Sequence, residues 1–154
     1  MIMLPNNSFK AAPAPLNSSV RPSMSVPDSH WYELRNSVGS RNFSVAQALI
    51  SSHPDILTSC NGIGETVLHF LAVEDDLEGV AWLHERGSDL DTRNEFGTPV
   101  LFEIAQLGYE KLFQWFIEHG ANIRAIDSSN QGIVEYLQDF QEHEKVAFVR
   151  RCGA

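Results

Sequence analysis

The chain predicts an all-α fold, a helix-turn-helix solenoid of about four helix pairs joined by short β-turn or finger connections. Two segments that echo each other 33 residues apart carry this prediction. The first reads Gly64-Glu65-Thr66-Val67-Leu68-His69-Phe70-Leu71-Ala72 and the second Gly97-Thr98-Pro99-Val100-Leu101-Phe102-Glu103-Ile104-Ala105. The echo continues, with Trp82-Leu83 over Trp115-Phe116, Gly87 over Gly120 and Asp89-Leu90 over Asn122-Ile123. A fixed period of this size marks a stacked array, in which each unit buries its apolar face against its neighbours. The third observation is apolar spacing of helical period on either side of the two good units.

Residues 1–27 hold five of the seven prolines, Pro5, Pro13, Pro15, Pro22 and Pro27, among many Ser and Asn, with no apolar period. Such a segment buries too little surface to offset its ordering entropy, so it reads as a disordered tail ahead of a domain at 28–154. Order is expected from Asp28 or Ser29, with Trp31, Leu34 and Val38 on one helix face and Gly39 as its end. Phe43, Ala46, Leu49 and Ile50 mark a second helix, stopped at His53-Pro54 because proline disfavours helix in the residue before it. Residues 31–57 thus form a degenerate opening unit.

In the first clear unit, the glycines of Asn61-Gly62-Ile63-Gly64 suit a tight turn, and Thr66 caps a helix over 67–74. Asp75-Asp76 breaks it; Leu77, Val80, Ala81 and Leu83 supply the next apolar stripe, and Gly87 closes that helix in the left-handed conformation. Residues 88–96 are turn-like, with Leu90 pointing inward. In the next unit Pro99 stands at a helix start, where its missing N–H is harmless. That helix stops at Gly108; Leu112, Phe113, Phe116 and Ile117 face the core, and Gly120 caps their helix. A weaker unit opens at Asn130-Gln131-Gly132. Its helices are marked by Ile133, Val134 and Leu137, then by Val146, Phe148 and Val149, with the added charge of a terminal cap.

These residues resemble the ankyrin repeat. The repeat-motif slots are filled by Gly64, Thr66, Leu68, His69 and Gly87 in one unit and by Gly97, Pro99, Leu101 and Gly120 in the next. The resemblance is firm over 61–127 and extends over 29–151. Unit two departs from it: Thr98 comes one position early and Phe102 replaces the histidine, so its first turn is expected to be built differently. The resemblance implies that His69 bridges backbone groups of neighbouring repeats. It also implies that partners bind through the finger tips and the exposed side of the first helices. On this chain that surface is Ile63, Glu65, Val73, Glu74, Arg93, Glu95, Phe96, Thr98, Gln106, Leu107 and Ser128.

The net charge is −9, and residues 28–154 carry 20 acids against 9 bases because Lys10 and Arg21 precede them. Such a body repels phosphate backbones, which argues against nucleic acid and favours a basic protein partner. No apolar run approaches the ~18 residues of a membrane span. Cys60 and Cys152 show no ligand-like spacing, which fits a reduced, cytoplasmic setting. His30, His53, His84, His119 and His143 offer no metal-ligand spacing. Asp75, Asp76 and Glu78 are expected as a solvated charged face, and no nucleophile or phosphate loop stands out. Phe96, at a finger tip, is either an exposed anchor or folded back on the next helix. The sequence therefore predicts a monomeric, non-enzymatic protein-binding module without metal or cofactor. The alternatives are a dedicated inhibitor or immunity-type protein for one toxin or enzyme, and a secreted effector or a subunit of an enzyme complex.

Overall fold

The computed structural model describes residues 27–154; the tail expected over 1–27 lies, but for Pro27, outside the described residues. Among those residues the chain is all-helical, with no strand and one isolated β-bridge between Arg93 and Pro99. The helices are α1 Pro27–Gly39, α2 Phe43–Ser52, α3 Val67–Val73, α4 Leu77–Glu85, α5 Val100–Leu107, α6 Glu110–Glu118, α7 Ile133–Asp139 and α8 His143–Arg151, with a 3-10 turn at Pro54–Leu57. The starts of α3, α5 and α7 fall at 67, 100 and 133, and those of α4, α6 and α8 at 77, 110 and 143. Each consecutive pair packs together, and α1, α3, α5 and α7 form a continuous row, each touching the next.

Backbone conformation obeys the same period. Apart from Arg41, every described residue with positive φ falls in one of three slots: Gly64, Gly97 and Asn130; Asp75, Gly108 and Gln141; Gly87, Gly120 and Gly153. The second slot accepts Asp75 and Gln141 at φ 58°. Gly64 has less freedom to change, because a Cβ there would lie 2.4 Å from the Glu95 amide nitrogen of the next turn. Gly39 is the last residue of α1, as expected, and Arg41 takes the left-handed conformation (φ 65°) that lets the chain turn into α2.

The core runs along the array. Trp31, Leu34 and Val38 of α1, Leu68 of α3, Leu83 of α4, Leu101, Phe102 and Ile104 of α5, Phe113 and Phe116 of α6, and Leu137 of α7 are all essentially inaccessible. Thr66 caps α3 by accepting the His69 amide, whereas Pro99 begins α5 with no side-chain cap, the expected difference between the two first turns. The expected acidic face at 75–78 is more specific than a solvated patch. Asp76 accepts the Gly79 amide at 3.0 Å and pairs with Arg41, which also reaches Glu78 at 3.0 Å. A Cβ at Gly79 would meet the Asp76 carboxylate at 2.5 Å and Leu71 at 3.1 Å, so a larger residue there would have to displace the side chain that caps α4.

Replacing Gly87 by Ala meets no neighbour and should cost only the left-handed strain of about 1–2 kcal/mol. Gly64→Ala adds a backbone collision to the same strain. Urea denaturation should therefore place Gly64→Ala well below Gly87→Ala in stability; equal losses would show that the turn-to-turn approach is soft.

Candidate partner-binding face and its buried polar bridge

Three turns of one design lead into the first helices. Asn61 Oδ1 accepts the Ile63 and Glu65 amides at 3.1 and 2.9 Å. Asn94 Oδ1 accepts those of Phe96 and Thr98 at 2.9 and 3.2 Å. Asp127 Oδ1 accepts those of Ser129 and Gln131 at 2.8 and 2.9 Å. Each leading residue also donates its own amide to the carbonyl four residues on. One short side chain thus stands in for two backbone acceptors, the mechanism that makes Asn and Asp turn residues. Asn61, Asn94 and Asp127 are spaced 33 apart in the sequence and all carry a side-chain oxygen at the same position, a signal fainter than that of the neighbouring glycines.

These turns hold two apolar side chains in water at equivalent positions, Ile63 at 53% and Phe96 at 45% exposure. Of the two readings open for Phe96, the exposed one is what the structure has. Adjacent turns are tied together: the Glu95 amide donates to the Ile63 carbonyl, and the Ser128 hydroxyl donates to the Phe96 carbonyl at 2.7 Å. Glu74, Glu95, Arg93 and Ser128 are exposed, while Val73, Thr98, Gln106 and Leu107 are half-buried. Arg93 already donates to the Gly97 and Ile126 carbonyls, so it braces the turns. Gln106 accepts the Tyr136 hydroxyl at 2.8 Å, and its carbonyl accepts the Lys145 ammonium.

Glu65 is a correction. Expected on the open surface, it is only 8% exposed. Asn61 pulls its amide into the turn, its carbonyl accepts the Trp31 indole N–H at 3.0 Å, and its carboxylate accepts the Asn61 side-chain amide at 3.3 Å. Burial pushes its carboxyl above the usual carboxylate range, partly opposed by His69 and by the Asn61 hydrogen bond, with Glu103 and Glu74 adding to the rise.

His69 is likewise different from the backbone bridge that the resemblance implied. Its fully buried ring reaches from α3 to α5, where Nε2 meets the Glu103 carboxylate of the next unit. Nδ1 is buried without a partner. A buried lone pair is tolerated better than an orphaned N–H, so the ring carries its proton on Nε2 and donates to Glu103. The other Glu103 oxygen accepts the Asn94 side-chain amide at 2.9 Å. Glu65, His69 and Glu103 bring ligand-type atoms within 4.8 Å of one another. A metal there would have to break the His69–Glu103 hydrogen bond, and Nδ1 lacks the outer partner that metal-bound imidazoles use. His69 and Glu103 therefore work as a hydrogen-bonded bridge between units, with the Glu65 carboxylate beside them. Beyond it, Tyr136 is pushed well above the usual phenol range by burial, then by the charges of Glu103 and Asp127.

No family model matches the chain. Over 90 residues it is 31% identical to Protein glp-1 of Caenorhabditis elegans, a stretch covering 58% of this chain and 7% of that protein. Over 101 residues it is 31% identical to E3 ubiquitin-protein ligase XBAT32 of Arabidopsis thaliana, covering 65% of this chain and 20% of that protein. The chain thus spans a fifth or less of the length of these relatives. No helix among the described residues is long and apolar enough to cross a membrane.

The raised Glu65 carboxyl fixes a sign for pH dependence. With the folded value above the unfolded one, the folded state binds the extra proton, so the Glu65 contribution improves as pH falls through the folded value. Glu65→Gln should therefore be more stable than the parent at pH 7. That gain should vanish below the ordinary carboxylate range, where Glu65 is protonated in both states. Denaturation curves across pH that show a constant difference would contradict this.

Proposed function

We propose that the chain is an ankyrin-type repeat module that binds a protein partner without catalysis, as a monomer in the cytoplasm, through its turn tips and the exposed side of its first helices. The observation that carries this reading is the equivalence of Ile63 and Phe96. Two large apolar groups are held in solvent, at one repeat interval, by turns whose backbone hydrogen bonds are already satisfied. Exposed aromatic and aliphatic side chains on a rigid frame are what a protein partner buries as anchors.

Three further points support it. The 33-residue spacing of helix starts and left-handed residues fits the repeat that the sequence resembles. Similarity confined to a segment of two differently named, longer proteins fits a module used in several contexts; the ligase activity in one of those names belongs to that protein. His69, the residue a catalytic reading would favour, is fully buried and committed to Glu103. With Glu65 withdrawn from the surface, exposed Glu74 and Glu95 supply acidity beside the tips, and the excess of acid over base favours a partner with a basic patch. The same excess supports the narrower reading of a dedicated inhibitor with one basic target.

A photo-crosslinking residue at position 96, compared with one at exposed Ala147 on α8, tests the proposal in extract of the producing cell. Position 96 should give one defined protein adduct that fades as salt rises from about 0.05 to 0.5 M, because exposed charges are screened over that range. Matching adduct patterns from both positions would overturn it.

A further inference from the structure

Phe70, Glu103 and Tyr136 occupy one slot in three successive units, on α3, α5 and α7, which pack side by side. The slot reads aromatic, carboxylate, aromatic. All three are partly exposed, the Glu103 side chain at 22%. Each Glu103 oxygen takes one donor, from His69 or from Asn94, and each keeps a lone pair. Among the described residues no Lys or Arg forms an ion pair with Glu103 or with Glu65 beside it. A half-buried carboxylate with free lone pairs and no Lys or Arg beside it favours an incoming cation. Burial raises the Glu65 carboxyl and the Tyr136 phenol first, and the charge of Glu103 adds to both.

At one end of the strip the chain already stacks a guanidinium on a ring. The Arg35 guanidinium lies over the Phe70 ring at 5.1 Å and over the Tyr32 ring at 5.3 Å. Guanidinium is planar, weakly hydrated and stacks on rings, and its fork matches a carboxylate; an ammonium does none of these as well. An apolar side chain docked here would strip water from Glu103 and return nothing, a neutral donor would return less than a charge-assisted bond, and an acid would be repelled. We infer that the Phe70–Glu103–Tyr136 strip seats an arginine side chain of the partner, its guanidinium on the Glu103 carboxylate and against the flanking rings. This rests on the protein-binding reading and specifies the group recognised.

The test selects binders of the full chain from a displayed random-peptide library. Selected peptides should share one arginine. Changing that arginine to lysine should weaken binding about tenfold or more, as should Glu103→Gln in the protein, and the two changes together should cost less than the product of the two factors. Because Glu103 also holds His69, Phe70→Leu provides a second variant that leaves the bridge intact and should weaken arginine peptides more than their lysine forms. Binders without a shared arginine, or binders indifferent to both Glu103→Gln and Phe70→Leu, would overturn the inference while leaving protein binding in place. A library that yields no binder also overturns it; the protein-binding reading itself falls only with the crosslinking result at position 96.

Discussion

Everything distinctive in this molecule depends on one small constraint, a side-chain oxygen that accepts two backbone amides at the entry to each first helix. Asn61, Asn94 and Asp127 do this with near-identical geometry. The turns are too exposed and too short to be held by a core, so their backbone groups need local partners. Once those are supplied, the residue two places on is held outward and the residue four places on is held inward. That is why Ile63 and Phe96 stand in solvent, and why Glu65, pulled the other way, is buried. The same constraint sets the spacing between turns, since the glycine after each tip lies against the next turn: Gly64 against Glu95, and Gly97 against Ser128.

The units are joined by different chemistry at each interface. Trp31 links the opening pair to unit one through its indole N–H and an edge-to-face contact with Phe70, while the Arg41–Asp76 pair closes the outer side. Units one and two meet through the polar bridge from His69 to Glu103. Units two and three meet through rings, with Phe102 against Tyr136 and Phe113 against Phe148. The apolar interfaces supply most of the stacking free energy through burial. The polar one is costly to leave half-made, so it fixes register and places a carboxylate where the neighbouring units have aromatic rings.

The periodic part of this structure was legible in the sequence. Gly64, Gly87, Gly97 and Gly120 mark left-handed positions, Thr66 and Pro99 mark helix starts, and the apolar stripes from Trp31 to Val149 mark the core. What stayed hidden was side-chain commitment. In the sequence Glu65 is indistinguishable from a surface acid, because its burial needs Trp31 to reach it through the fold as well as Asn61 within the turn. The repeat slot of His69 points to a backbone bridge, while its partner is a departure from the repeat, Glu103 in the position of Phe70 and Tyr136. The turn acceptors were visible as an Asn, Asn, Asp series at 33-residue spacing but lack the conformational signature of glycine or proline.

The central claim, that the side-chain acceptor of each turn holds the exposed tip, is tested most directly by amide hydrogen exchange on Asn94→Ala. The Phe96 and Thr98 amides should lose most of their protection, while core amides of α6 such as that of Phe116 keep theirs. Unchanged protection at Phe96 and Thr98 would show that the turn is held by something other than Asn94, and the account of the tips would not stand.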